Sequence, residues 1–396
     1  MSSTPRKATL EHTKIHNTRL VLQTIYEQGA ISRAAVARMT KLTRPTVSDA
    51  VARLIDDGLV AEIGRGASTG GKQPTLLSVS DASRTLIGVD LSGNTVFRGA
   101  LVDLRGKIHD RATIEIDGAM GTQALDCVFS LIDDLLARAN TPILGIGIAS
   151  PGLIDAQNGI VRRAVNLGWQ DLPLRDLLAE RFSDAIHIAN DSHATALAEF
   201  FFGRRAHTSN LIVVKIGRGI GAGIVIHGDL YYGDGHGAGE IGHVVVEADG
   251  EACTCGNFGC LETVAAVPAI LRRAARIAEA NTGSLLKSGT ADPWEQLIKA
   301  YDAGDPAIGE LTWQIGRSLG IAIANLVGCF NIHNVVISGR IAAFGDPLLQ
   351  AISAEMHQRV LPSMADETFI GFADLDADIG ILGGAAMLLK HELGIQ

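Results

Sequence analysis

Gly239-Glu240-Ile241-Gly242-His243, followed by Cys253-Thr254-Cys255-Gly256-Asn257-Phe258-Gly259-Cys260-Leu261-Glu262, is the most informative stretch of this sequence. The spacing from the histidine onward is His-x9-Cys-x-Cys-x4-Cys. One imidazole and three thiols close together form the donor set of a closed, tetrahedral, structural zinc centre, with no position evident for a catalytic water. The predicted ligands are His243, Cys253, Cys255 and Cys260, and Gly256 and Gly259 let the loop turn tightly between them. The bland alternative is three free thiols in a loop. The chain has five cysteines, an odd number, and the other two are Cys127 and Cys329 in apolar surroundings. That pattern predicts a metal site plus two core thiols, not a disulfide framework.

Outward from the loop, the sequence is rich in glycine and in short apolar runs. Leu86–Leu91 reads as a buried strand that leads into Ser92-Gly93-Asn94, and Val96–Leu104 as its partner. Ile143–Ala149 runs into Ser150-Pro151-Gly152, and Ala185–Ala189 into Asn190-Asp191. A second set comprises Leu211–Ile216, the turn Gly217-Arg218-Gly219, Ile224–Ile226, and Asn334–Ile337 before Ser338-Gly339-Arg340. Two strand-rich halves with glycine turns predict a two-lobed α/β fold with ligands at the strand C-termini. The 396 residues exceed one ordinary core, and 47% hydrophobic with 19% charged residues is a globular composition. No apolar run approaches the roughly 18 residues that a membrane span requires, and Met1–Arg19 is polar, so a cytoplasmic protein with no membrane partner is expected.

The first eighty residues differ in kind. Through Ser78 there are 11 Lys and Arg against 6 Asp and Glu, whereas the remainder is strongly acidic within an overall charge of −9. A basic head on an acidic body suggests a polyanion partner for the head, although so modest an excess can arise by chance. Thr13–Glu27 suits an amphipathic helix ending at Gly29. Ser32 caps a short helix over Arg33–Met39, and Thr40–Leu42 forms a turn. Thr43 caps the next helix, with Pro45 in its first turn and Gly58 closing it. Leu59–Leu77 reads as two strands around a glycine-rich tip. This order is that of a winged helix-turn-helix whose second motif helix enters the major groove of double-stranded DNA. The predicted DNA contacts are Arg33, Lys41, Thr43, Arg44, Thr46 and Ser48, with Arg65 and Lys72 on the wing. A protein-binding helical module is the alternative.

The segment from Gly239 to Glu262 closely resembles the signature of the ROK family (repressors, open reading frames and kinases), and the resemblance runs from about Ile87 to Met387. The N-terminal domain, including Ser68–Pro74, resembles that of the family's repressor branch of N-acetylglucosamine, xylose and glucose repressors. The resemblance implies a winged helix-turn-helix over 1–82 and an actin-like, hexokinase-like (ribonuclease H-like) domain over 83–396. Its first lobe would comprise about 83–200 plus a C-terminal helix at about 378–396. The second would comprise about 201–377 with the zinc loop 243–262. It also implies a sugar in the interlobe cleft, contacted by Asn166, Asn190, Asp191, Glu240, His243 and Glu262. In kinases of the family the residue matching Asp191 is the base, while a helix N-cap is its structural role.

The chain departs from the family's kinases at its phosphate turns. Asp90-Leu91-Ser92-Gly93-Asn94 stands where kinases carry Asp-x-Gly-Gly-Thr, and Lys215-Ile216-Gly217-Arg218-Gly219 where they carry Thr-x-Gly-Thr-Gly. Lys215 and Arg218 suit either the phosphate of a sugar phosphate or a surface ion pair. The expected function is a sugar-responsive DNA-binding regulator, a repressor of carbohydrate genes, binding a palindromic operator as a homodimer or homotetramer and responding to a sugar or sugar phosphate. The alternative is an ATP-dependent sugar kinase with a DNA-binding arm.

Overall fold

The computed structural model describes residues 10–67, 73–204, 208–280, 285–286, 292–375 and 377–395. The chain divides into two compact units, Met1–Asp191 with Gly380–Gln396, and Ser192–Ile379.

The first unit begins with helix α1 (Leu10–Gln28), a short strand β1 (Ile31–Ser32), α2 (Arg33–Thr40), α3 (Arg44–Asp56), and strands β2 (Val60–Arg65) and β3 (Thr75–Val79). The three strands form one sheet in the order β1-β3-β2. Local chemistry sets both motif helices. The Ser32 side chain accepts the Ala35 N–H at the start of α2, and the Thr43 side chain accepts the Thr46 N–H at the start of α3. Lys41 closes α2 in the left-handed region (φ 58), which makes the turn between the helices tight. Val21, Leu22 and Ile25 of α1 are buried with Val36 of α2, Val47, Val51 and Leu54 of α3, and Leu77 of β3. Each is a side chain whose full burial contributes about 1.5–3 kcal/mol. Strand β1, which pairs Ile31 with Leu77, is an addition to the element order read from the sequence, because two residues are too few to show a period. Ser68 to Lys72, including the predicted DNA contact Lys72, lies outside the described residues.

The same unit continues with β4 (Thr85–Asp90), β5 (Val96–Val102), β6 (Ile108–Glu115), α4 (Thr122–Arg138), β7 (Ile143–Ser150), β8 (Leu153–Asp155), β9 (Ile160–Ala164), β10 (Trp169–Leu172), α5 (Leu174–Ala179) and β11 (Ile186–Asn190). Its five-stranded sheet has the order β11-β7-β4-β5-β6, with β4, β7 and β11 mutually parallel and the other pairs antiparallel. Helix α6 (Asp191–Phe202) leads into the second unit, which contains β12 (Leu211–Ile216), β13 (Ile220–Ile226), β14 (Asp229–Leu230), α7 (Leu261–Ala265), α8 (Val267–Ala280), α9 (Pro293–Asp302), α10 (Pro306–Phe330), β15 (Asn334–Ser338), α11 (Gly345–His357), α12 (Pro362–Glu367) and β16 (Phe369–Phe372). Its sheet runs β14-β13-β12-β15-β16, with β12, β15 and β16 parallel. Numbered from its own first strand, each sheet has the order 3-2-1-4-5. The two halves expected from the glycine turns are therefore one topology used twice. Helix α13 (Ile379–Leu388) returns the chain to the first unit and ends in a π-helical turn over Leu389–Leu393.

Three sets of contacts tie the head to the first lobe within this unit. The Tyr26 hydroxyl donates to the Leu104 carbonyl (2.8 Å), while Arg105 donates to the Tyr26 carbonyl (2.7 Å) and lies 4.1 Å over its ring. Burial pushes the Tyr26 hydroxyl up to about 12. Arg84 donates to the Asp57 carbonyl at the end of α3 (2.7 Å). Arg19 donates to the carbonyls of His391 and Glu392 at the C-terminal turn.

Cys127 is half-buried beside the first lobe's core, as expected, but Cys329 is exposed. It lies one residue before the end of α10, on a face that the apolar local sequence does not distinguish from the buried one. Helix α10 packs on α11 through glycine. A Cβ at Gly316 would lie 2.5 Å from that of Ala351, whereas one at Gly309, in the same helix, would meet nothing within 4 Å. Gly309→Ala is therefore expected to raise stability by up to about 1 kcal/mol through helix propensity. Gly316→Ala is expected to lower it by about 1–3 kcal/mol through overpacking. Thermal or denaturant unfolding of the two variants would check both signs.

Candidate regulatory sites: DNA face, metal cluster and sugar residues

The DNA face is built by the two caps. Lys41, Thr43, Arg44, Ser48 and Asp49 are exposed around the N-terminus of α3, and Thr46 is half-buried. The Thr43 and Thr46 hydroxyls lie 2.8 Å apart, so the cap engages both. The exposed tip is thus left to Lys41, Arg44 and Ser48 as freely extending side chains. Arg65 is exposed at the end of β2. Arg33 forms an ion pair with Glu62 of β2 (2.9 Å), which ties α2 to the wing. Its first task is structural, a pairing across the sheet that sequence separation hides.

In the second unit, the ligating atoms of His243, Cys253, Cys255 and Cys260 all lie within 4.8 Å of one another. Cys253 Sγ is 3.6 Å from His243 Nδ1, and Cys255 Sγ is 3.7 Å from Cys260 Sγ. A tetrahedral ion with metal–sulfur bonds of about 2.3 Å and metal–nitrogen bonds of about 2.0 Å separates its donors by roughly 3.5–3.8 Å. The four donors fit such an ion and are too far apart for a disulfide. The Asn257 N–H beside Cys255 lowers that thiol to about 7, while burial pushes Cys260 up to about 12.

Backbone packing explains the glycines of this segment. Gly239 has φ +89, and a Cβ there would lie 1.9 Å from the Ala222 carbonyl oxygen; one at Gly242 would lie 2.3 Å from that of Ile220. The two glycines press the loop onto β13, and Glu240 and His243 follow them. A Cβ at Gly259 would lie 1.7 Å from the Glu247 carbonyl oxygen. Cys260 directly precedes α7, so the metal loop fixes the helix whose first turn carries Glu262. The Glu262 carboxylate accepts the Ile220 N–H (3.3 Å), and a Cβ at Gly219 would lie 2.6 Å from it. That oxygen therefore also supports the Gly217–Gly219 turn. His193 is buried at the start of α6, its Nε2 3.0 Å from the Ala238 carbonyl and its ring edge-on to Tyr232. It positions the approach to Glu240, a role that one histidine in an apolar helix does not announce.

In the first unit the parallel strands end together: Asn190 pairs in register with Ser150, and Asp90 with Ala149. Asn190 Nδ2 donates to the Gly152 carbonyl (2.8 Å). Asp191 is the first residue of α6 and is not an N-cap before a later start, since the helix begins three residues earlier than the expected Ala194. Asn166 is exposed on a 3-10 turn over Val165–Leu167 that Gly168 closes at φ 64. Trp169 Nε1 anchors that turn by donating to the Gly121 carbonyl (2.8 Å).

Two of the strand-end turns are held by side-chain bonds. Asp90 is buried, accepts the Ser92 N–H (2.9 Å) and pairs with Arg98 (2.8 Å). Arg340 pairs with Asp292 (3.4 Å) and lies 5.5 Å over Trp294.

Two family models match: winged helix-turn-helix DNA-binding over residues 16–61, and the ROK family over 86–392. The chain belongs to the ROK family. The xylose repressor of Caldicellulosiruptor bescii is 33% identical over 393 residues, covering 95% of this chain and 96% of that protein. A glucokinase of Halalkalibacterium halodurans is 33% identical over 325 residues, covering 80% of this chain and 98% of that one. The crystal structure of a ROK family transcriptional regulator, a homologue of the E. coli MLC protein, superposes with a TM-score of 0.87 at 28% identity over 96% of this chain and 97% of that one. The match to the repressor extends through the head, whereas the kinase match spans the smaller share of this chain. No helix among the described residues is long and apolar enough to cross a membrane.

Asp90 supplies a test of the first turn. Arg98→Met strips a buried carboxylate of its cation while the Ser92 N–H remains. A loss of about 1–3 kcal/mol in unfolding free energy is expected, moderated because Arg98 is partly solvated. Asp90→Asn in the Arg98→Met background should recover part of it.

Proposed function

We propose that this ROK protein is a sugar-responsive, DNA-binding transcriptional repressor of carbohydrate-utilisation genes. The observation that carries the reading is the clasp of Tyr26 by Arg105, which joins α1 of the winged head, whose helix α3 is tipped by Lys41, Arg44 and Ser48, to the lobe bearing Asn190 and Asp191. Whatever moves that lobe moves the head.

A homodimer places two α3 N-termini in successive major grooves of a palindromic operator. Arg44 reaches a guanine edge or a phosphate, Lys41 and Arg65 neutralise phosphates, and Ser48 donates to the backbone. Thr43 and Thr46 hold the tip in shape, and their outward faces contact the sugar–phosphate chain. The effector is a sugar or sugar phosphate, and the candidate hydroxyl-binding residues are Asn166, Asn190 and Asp191 of the first unit and Glu240, His243 and Glu262 of the second. Carboxylates and amides suit this task, since a buried hydroxyl needs both an acceptor and a donor. Xylose, the sugar in the name of one relative, is the first effector to test.

The ion held by His243, Cys253, Cys255 and Cys260 is zinc, in a structural role. Bound there, it supplies no chemistry beyond cross-linking the loop. The rigidity passes through Cys260 to Glu262 and through His243 to Glu240, and a hydroxyl-binding set needs such fixed geometry. The effector changes DNA affinity only by binding the DNA-competent and DNA-incompetent arrangements unequally.

In a mobility shift on the DNA upstream of the chain's own gene, the protein should bind, and Arg44→Ala should weaken it about tenfold or more. A chain with no shift at low salt would sink the proposal. Metal analysis should find one zinc per chain, lost in Cys255→Ser. In thermal-shift assays a monosaccharide at about 100 times its Kd should add about 2.7 kcal/mol of stability to the parent chain and little to Cys255→Ser. Full sugar binding by the zinc-free variant would refute the rigid-loop argument.

A further inference from the structure

Beside the linker that follows β3, the first lobe holds a cavity of about 360 Å3, within the roughly 300–1,000 Å3 of small-molecule sites. It is walled by the linker after β3, the β5–β6 turn and the C-terminal end of α4. Every lining residue belongs to the first compact unit, and none is among the sugar residues discussed above.

Its wall carries Arg84, Arg138 and His109 against Asp103 and Asp110, and these groups differ in how they are paired. Arg138 in the wall is bound by Asp134 and Asp110, and His109 by Asp103 (2.9 Å). Arg84 is half-buried and makes its two recorded hydrogen bonds to main-chain carbonyls, those of Ser83 and Asp57. Among the described residues no carboxylate is paired with it. A half-buried guanidinium beside a cavity is a place for an anion, and a planar fork of N–H groups suits phosphate in particular.

The rest of the wall suits hydroxyls. Thr85 and Thr141 place their side-chain oxygens 2.6 Å apart. One hydroxyl donates to the other, and the acceptor keeps its own hydrogen for a third group. The Asn140 amide lies alongside, offering both a donor and an acceptor.

We propose that this cavity is a second ligand site, for a small phosphorylated polyol, with the phosphate on Arg84 and the hydroxyls against Thr85, Thr141 and Asn140. Its position gives the site a consequence. The same guanidinium donates to the Asp57 carbonyl at the end of the recognition helix. A bound phosphate competes for it and loosens the head.

The test is calorimetric titration of the full chain in its Asp191→Asn form, with glucose 6-phosphate, fructose 6-phosphate and ribose 5-phosphate as probes and inorganic phosphate and glucose as controls. At least one sugar phosphate should bind, about tenfold more tightly than either control, as one or two good polar contacts provide. Arg84→Gln should weaken it about tenfold or more, the share of one charge-assisted bond. Asn140→Ala combined with Thr141→Val, which leaves the head contacts untouched, should weaken it as well. In the parent chain the same probe should lower operator affinity. Absence of binding by all three probes, equal binding of inorganic phosphate or glucose, or binding unchanged in both variants would overturn the proposal. Operator binding by the ligand-free protein is a separate measurement, so failure here leaves the repressor reading intact.

Discussion

Arg105 lying across the ring of Tyr26 is the contact on which the logic of the molecule depends. The guanidinium donates to the Tyr26 carbonyl, the Tyr26 hydroxyl donates back to Leu104, and Arg105 also pairs with Asp81 in the linker. The bonds cross between a helix of the head and a turn of the first lobe. A cation over an aromatic face gains most when both are withdrawn from water, and Tyr26 is buried enough for its hydroxyl to resist ionisation. Arg19 and Arg84 repeat the device at the C-terminal turn and at the end of α3. A head hung on a flexible linker would move independently of the lobe. One held by three arginines on main-chain carbonyls is fixed to the lobe that carries it.

The second constraint is steric. In the segment from Gly239 to Glu262, glycines stand where any Cβ would strike a carbonyl oxygen, at Ala222, Ile220 and Glu247. The loop is thereby pressed against β13 and folded onto itself, so that four donors meet and two carboxylates are presented at defined points. The metal cluster and the carboxylates are one construction, because the residue that ends the cluster, Cys260, also begins the helix bearing Glu262.

At the turns where the chain differs from the family's kinases, side chains of the protein bond to one another. The glycine at 339 takes φ 119 against the Ile216 carbonyl. Asp90 is committed to Arg98 and to its own turn, and Arg340 to Asp292 and Trp294. The duplicated sheet of order 3-2-1-4-5 is thus braced at its turns by side chains bonded to one another.

Much was legible in the sequence, wherever the deciding physics is local. Ser32 and Thr43 cap helices because a hydroxyl reaches an N–H three residues on. The apolar spacing of α1 and α3 follows from the helix period. His243 and the three cysteines announce a metal cluster because ligand spacing within one loop is a short-range property. Other features required the tertiary structure. Leu104 for Tyr26, Glu392 for Arg19, Asp57 for Arg84 and Asp90 for Arg98 lie 8 to 373 residues away, and no local pattern encodes these pairings. Arg33 belongs to the wing through Glu62, and Cys329 faces outward on a helix whose neighbours are mostly apolar. The sequence determined which groups the protein possesses. Only close packing, which forces each charge to find a partner and each glycine to admit a neighbour, decided which of them meet.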